Sequence, residues 1–427
     1  MDIDNINNIV NEIYTELLSI NEGNVADYIP QLANVNSELF GISICTVSGE
    51  IINIGDTNEY FCLQSCCKPL SYCISRELNN LEKVHKHVGY EPSGRSFNSF
   101  DLNNDNLPHN PLINAGAIMV SSLIEPDKEP ADRFQLINKY YEKMCGNEPI
   151  GYDNTIFLSE QHHADRNISL AYYMRENKAF DKGVGPNEIS KHLDLYFQCC
   201  SITITSQMGS IIAGTLANGG VCPTTNEAVF DSEISRDCLS LMYMCGMYDY
   251  TGQFAFEVGL PAKSGVSGCL LLVVPNKMGI CIWSPKLDKM GNSVRGVEFC
   301  KRFIKKFPHN LHIFHTITSK VENDSKEKLM DACNLGNIQM VEELSNIIDI
   351  NVEDYDRRRP LHLAVDEGHL EVVKVLIRKG VIINIKDRWN NTPFSIVDNK
   401  LKDQEISDDL RIKYEEIKKI LTEKNIN

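Results

Sequence analysis

Apolar positions recur along this chain with two different periods, and the switches between them mark out its architecture. Residues 1 to 20 carry Ile9, Ile13, Leu17 and Leu18 on one side of a 3.6-residue period, which predicts a short amphipathic helix. Residues 40 to 54, FGISICTVSGEIINI, instead alternate around Ser48-Gly49, the pattern of a β-hairpin. A second pair of apolar runs, GCLLLVVPNKMGICIW from Gly268 to Trp283, is interrupted by Pro275-Asn276-Lys277 and predicts two more strands. Between Lys68 and Met247 helical patterns dominate. Strands, then helices, then strands predict one α+β domain whose sheet combines strands from both ends, with a helical part covering it.

The pattern changes again after Phe307. The stretch PHNLHIFHTITSKVENDSKEK is polar and charged and reads as a linker running into a new helix. Beyond it lies a repeat. Leu335-Gly336-Asn337 is echoed by Glu367-Gly368-His369, and each precedes an apolar helix, IQMVEEL and LEVVKVLI. The helix start Arg359-Pro360-Leu361-His362-Leu363-Ala364 is echoed in turn near Asn391-Thr392-Pro393-Phe394. A period of about 33 residues with a T-P-L-H-x-A-like start is the ankyrin signature, and it points to binding or assembly. A charged helix near Asp408 to Glu423 closes the stack. The predicted boundaries are 1–23 for an N-terminal helical segment, 24–307 for the main domain, 308–325 for the linker and 326–427 for the repeats.

Composition narrows the classes. With 427 residues, 42% hydrophobic and 23% charged, the chain has room for two or three domains and a substantial core. A net charge of −16 argues against a nucleic-acid partner. No apolar run approaches the ~20 residues of a membrane span. The absence of Lys or Arg before Lys68 argues against a secretory signal or an arginine-rich presequence, so a cytoplasmic address is expected, with mitochondrial as the alternative. Fifteen cysteines without paired C-x-x-C sets read as buried reduced thiols. His85 and His87, and adjacent His162 and His163, lack companion ligands at useful spacing, so no metal is expected.

The candidate chemistry centres on FCLQSCCKPLSYCI, residues 61 to 74. Ser65 and Lys68 stand at i and i+3, one face of a helix, in an apolar setting that can desolvate the amine and make it a base. Ser325 and Lys328 repeat the spacing among charged neighbours and read as a solvated face. Pro69 is tolerated only in a first helical turn, which puts the helix start at about Ser65. The free N–H groups there can supply part of an oxyanion hole. A plain helix start with a capping serine is the alternative.

Four other clusters carry polar side chains in apolar settings. Asn114, within HNPLINAGA, offers both donors and acceptors to a ligand, or serves as a core amide. Glu160 and Asn167 are suited to an ammonium group or an amino-acid backbone, or to a solvated loop. Ala262-Lys263-Ser264-Gly265-Val266 precedes a predicted strand and resembles the Lys-Thr-Gly element of serine–lysine enzymes, with Val266 as a second oxyanion donor. Tyr248 offers a hydroxyl for proton relay.

These residues lie within longer matches. VADYIPQL (25–32), FCLQSCCKPL (61–70), EPSGRSFN (91–98), PHNPLINAGAI (108–118), LANGGVCP (216–223), CGMYDYTGQFAFEVGLPAKSGVSGCLLLVVPN (245–276), SPKLDKMGNSV (284–294) and DRWNNTPF (387–394) together resemble the eukaryotic glutaminases, above all the animal kidney and liver types with C-terminal ankyrin repeats. The resemblance implies a β-lactamase/transpeptidase-like α+β domain followed by a small all-α ankyrin domain. It implies hydrolysis of L-glutamine to L-glutamate and ammonia through a γ-glutamyl ester on Ser65, with Lys68 as base and Tyr248 aiding proton transfer. Tyr28, Gln64, Ser65, Asn114, Glu160, Asn167, Tyr196, Tyr248 and Val266 match the substrate-contacting positions. It further implies no metal or organic cofactor, inorganic phosphate as an activator, and a homotetramer, with a protein partner on the repeats. A penicillin-type acyl-enzyme and a silent ankyrin scaffold are the competing readings.

Overall fold

The computed structural model describes residues 3–96, 98–306, 320–354, 356–403 and 406–425. The chain divides into two units, Met1–Ile313 and Phe314–Asn427.

The first unit is built on a five-stranded antiparallel sheet. Its strands are β1 (Gly41–Thr46), β2 (Ile51–Gly55), β6 (Ala262–Ser264), β7 (Cys269–Val274) and β8 (Met278–Trp283), in the order β2-β1-β8-β7-β6. Both predicted hairpins form, and β1 pairs with β8 in the register Ile44↔Ile280, which joins the two ends of the unit into one sheet. Side chains alternate between the faces of a strand. Ile42, Ile44, Leu270, Leu272, Ile280 and Ile282 enter one core, and Cys45, Cys269, Leu271, Val273, Cys281 and Trp283 enter the other. A sheet buried on both faces loses the polar alternation of a half-exposed one, which explains the near-continuous apolar runs.

The first core is closed by the terminal helices Ile3–Leu17 and Val294–Lys306, which pack on each other and on the sheet. The N-terminal helix therefore belongs to the main domain and is no separate segment. Its buried face is Ile6, Val10, Ile13 and Leu17. The sequence pattern had placed Leu18 on that face, but Leu18 follows the last helical turn and is 47% exposed.

On the other face the helix Ser206–Ala217 lies against β1, β7 and β8. The approach is so close that a Cβ on Gly279 would stand 1.9 Å from the Gly214 nitrogen. The helices Cys67–Leu78, Asn114–Ser122, Pro130–Met144, Asn154–His162, Asp165–Glu176, Pro186–Cys200 and Ser232–Cys245 pack on this second core, while Thr251–Glu257 puts Phe254 into the first. A small sheet of β3 (Phe61–Cys62), β5 (Ile202–Ile204) and β4 (Gly151–Tyr152) stands among them. This is the α+β arrangement expected of a β-lactamase/transpeptidase-like domain.

The predicted linker 308–325 lies outside the described residues up to 319, and a helix already runs over Lys320–Leu335, ahead of the expected start at 326. The second unit continues with helices Ile338–Leu344, Pro360–Asp366, Leu370–Arg378, Pro393–Lys400 and Asp408–Asn425 around one apolar core. The repeat motif explains its own geometry. The Arg359 N–H donates to His362 Nδ1 at 3.1 Å, while Nε2 faces the carbonyls of Ile385 and Asn391, so one imidazole ties a helix start to the next finger. Asp354 and Asp387 hold equivalent places in successive repeats. Each accepts the N–H groups two and four positions on, folding matching turns.

Candidate active site

The turn that carries Ser65 is set by three constraints. β3 pairs with β5, and the Leu63 N–H donates to Ile202 O at 2.8 Å, which anchors the chain just before Gln64. Gln64 then takes φ +48°, a left-handed conformation that a non-glycine residue holds only when its surroundings enforce it. A 3₁₀ turn over Gln64–Cys66 leads into the helix Cys67–Leu78, with Pro69 in its first turn. The helix thus begins two residues later than the sequence suggested, and Ser65 sits in the turn ahead of it.

Ser65 and Lys68 meet as expected. Lys68 Nζ lies 2.9 Å from Ser65 Oγ and 2.8 Å from Asn114 Oδ1. Lys68 is buried, and that burial lowers its pKa from the usual lysine value because the charged form is the one desolvation penalises. A neutral Lys68 can accept the Ser65 hydroxyl proton along the same contact. Asn114 opens the helix Asn114–Ser122; its Nδ2 donates to Asn167 Oδ1 at 3.0 Å, and Tyr196 OH reaches its Oδ1 at 3.4 Å.

A second group lies beside Ser65. Glu160 Oε1 accepts from Tyr28 OH at 2.7 Å and from Gln64 Nε2 at 2.9 Å. Burial raises the Glu160 pKa, against the lowering effect of these two donors and of the Lys68 charge. Because Gln64 precedes Ser65, the carboxylate is tied to the Ser65 turn through one residue. Glu160 is suited to an ammonium group, and the carboxamides of Asn114 and Asn167 to a carboxylate or amide.

Two more elements face Ser65. Tyr248, at φ +54°, begins a 3₁₀ turn over Tyr248–Tyr250, and Thr251 Oγ1 donates to its carbonyl at 2.7 Å. Burial pushes the phenol above its ordinary range, while a hydrogen bond with Ser65 acts in the opposite sense. The segment Ala262–Ser264, expected only to precede a strand, is itself the edge strand β6. Gly265 follows it, and a Cβ there would come within 2.8 Å of Leu63 O and 3.1 Å of Cys66 Sγ. Glycine therefore lets the loop carrying Val266 press against the Ser65 turn. Val266 packs with Ile29, Leu32, Cys62 and Ile156.

All ten expected site residues lie in the first unit, and hydrogen bonds join Ser65, Lys68, Asn114, Asn167 and Tyr196 in one group and Tyr28, Gln64 and Glu160 in another. Ser325 is half-buried and Lys328 exposed in the second unit, as the charged flanks indicated. Sequence reasoning passed over Lys263 as a site residue. Its Nζ is fully buried and donates to Ser264 O at 2.6 Å and to Gly246 O at 3.2 Å, and it stands 4.5 Å from the centre of the Tyr248 ring. A lysine in the apolar run LPAKSGV was the available signal. A cleft of about 390 Å³ opens beside Tyr248, lined by Pro92 to Arg95, Leu112, Ile113 and Asp249 among others. Among the described residues no group of three or more His, Cys, Asp or Glu side chains is placed to hold a metal ion, and no helix is long and apolar enough to cross a membrane.

Comparison with known proteins gives the same picture at larger scale. Residues 23–314 match the Glutaminase family model, and residues 295–393 match a model of three ankyrin repeats. The latter match starts inside the helix Val294–Lys306, which packs in the first unit. The mitochondrial liver isoform of glutaminase from Rattus norvegicus is 46% identical over 399 residues, 90% of this chain, and the chain spans 65% of that enzyme's length. A solved structure described as the probable glutaminase ybaS is 33% identical, with TM-score 0.69 over 74% of this chain and 99% of that one. A structure of Mglu in its glutamate form is 32% identical, with TM-score 0.65 over 71% of this chain and 68% of that one.

Proposed function

This chain belongs to the glutaminase family, and from that membership we propose that it hydrolyses L-glutamine to L-glutamate and ammonia by acyl transfer through Ser65. The observation that carries the reading is the line Ser65–Lys68–Asn114, with Lys68 buried at its centre and contacts of 2.9 and 2.8 Å. Neutral Lys68 takes the hydroxyl proton as Ser65 Oγ attacks the γ-carbonyl carbon. The N–H groups of Ser65 and Val266 receive the oxyanion, each donor worth ~3 kcal/mol of barrier. As the C–N bond breaks, Tyr248 passes a proton to the leaving nitrogen and ammonia departs. Water then attacks the γ-glutamyl ester with the same groups in reverse, freeing glutamate and Ser65. Glu160 holds the α-ammonium group, while Tyr28, Gln64, Asn167 and Tyr196 shape the rest of the amino-acid pole. The glutamate-bound form of Mglu supports an amino-acid ligand.

Resemblance to the animal enzymes further supports a homotetramer, phosphate activation without a metal or organic cofactor, and a protein partner on the repeats. The mitochondrial name of the rat relative favours the mitochondrial alternative over the cytoplasmic address; subcellular fractionation decides between them. The direct test is glutamate release by wild type and Ser65→Ala, with and without phosphate. We expect turnover in wild type and a loss of at least about 10⁴-fold in the variant. An inert wild type under both conditions defeats the assignment.

A further inference from the structure

Lys263 is a buried amine that this mechanism leaves without a task. Burying a lysine is costly unless its charge is paired or its protons are bonded. Lys68 and Cys67 from the nucleophile helix, Cys66 from the preceding turn and Cys269 from β7 act on it electrostatically. Cys245, at the end of the helix Ser232–Cys245, acts on it too, and Tyr248 faces it from the turn that follows. Burial raises the pKa values of the Cys66, Cys245 and Cys269 thiols, so these supply no anion to it. Its bonds go to two backbone carbonyls. Gly246 O lies two residues before Tyr248, and Ser264 O lies two residues before Val266. The amine also faces the Tyr248 ring, a cation–π contact when charged.

We propose that Lys263 is a positioning residue of the hydrolytic site, fastening the turn that carries Tyr248 to the strand edge that leads to Val266. The inference rests on the hydrolase reading above. It assigns the proton-relay phenol and the second oxyanion donor to a single anchor, so that both keep their places relative to Ser65. It has an electrostatic consequence as well. Burial, and next the Lys68 charge, push Lys263 down to about 7. Two desolvated amines this near resist being protonated together. Because the Lys68 charge acts to lower Lys263, Lys263 is the first of the two to lose its proton.

The test compares wild type, Lys263→Met and Lys263→Gln in glutamine hydrolysis, with kcat, KM, the pH profile and the thermal midpoint recorded for each. Methionine keeps the stem and removes the donors; glutamine restores one donor without a charge. In Lys263→Met we expect kcat to fall about 100-fold with KM within about threefold. Lys263→Gln, which restores one donor, should regain part of kcat. A folded Lys263→Met with wild-type kcat overturns the proposal. So does a fall in kcat that Lys263→Gln does not partly restore, which is what loss of packing alone would do. If neither variant folds, Lys263 is a folding residue and the proposal also fails. An inert wild type sinks the hydrolase reading instead, so the two failures are distinguishable.

Discussion

Ser65 and Lys68 are three apart in sequence, and one turn of helix was enough to predict their meeting. Glu160 is different. It reaches Gln64 across 96 residues and Tyr28 across 132, so nothing local announced its partners. Its place beside the nucleophile was legible only through resemblance to a family. The contacts sharpen its assigned role, because an acceptor already oriented by two donors has its remaining lone pairs directed at a ligand. We therefore expect Glu160→Gln to act on binding. KM should rise about 100-fold while the Ser65–Lys68 contact persists and kcat falls less. Steady-state kinetics with glutamine checks this, and a change confined to kcat would contradict the role. Lys263 teaches the complementary lesson. The sequence shows a lysine in an apolar run, but its bonds to Gly246 and Ser264 exist only once β6 has docked beside the Tyr248 turn.

Among the elements, the longer strands and the helices with clear periodicity were legible. The two hairpins and the helices opened by Pro360 and Pro393 form where the pattern placed them. The shortest elements were not, since β3, β4, β5 and β6 contain too few positions to show a period. Those short pieces matter most to the site: β3 anchors the Gln64 turn, and β6 aims the loop that carries Val266. Gly265 is the joint between them. Replacing it with alanine places a Cβ 2.8 Å from Leu63 O, a backbone atom with little freedom to retreat. We expect Gly265→Ala to cut kcat by about tenfold or more and to lower stability by about 1–3 kcal/mol. Kinetics alongside a thermal melt separates this outcome from simple unfolding, and an unchanged kcat would show that the close approach is unimportant.

For the molecule as a whole, the division into two units followed from a change of pattern, from mixed strands and helices to an ankyrin-like repeat. The cores agree with it. Among the described residues, the apolar clusters around the sheet draw on none beyond Ile304, and the repeat cluster starts at Leu329. Two self-contained cores predict two units that fold on their own. A chain ended after Ile313 should keep a cooperative melt and, under the proposed function, a kcat per chain within about twofold of the full chain. Loss of the cooperative transition would show that the first unit depends on the repeats.

The sequence alone determined the repeat period, the long strands, the helix that presents Lys68 to Ser65, and the buried state of most cysteines. Apart from the repeat period, which shows as a motif recurring along the chain, each of these follows from neighbours a few residues apart, where backbone geometry fixes which side chains share a face. The tertiary structure decided the rest. It enrolled the N-terminal helix in the sheet's core, turned AKS into an edge strand, brought Glu160 to Gln64, and set Lys263 over the Tyr248 ring. The physical reason is common to all four. Desolvation and packing act between segments far apart in the chain, and they exist only when the two faces of one sheet have been covered.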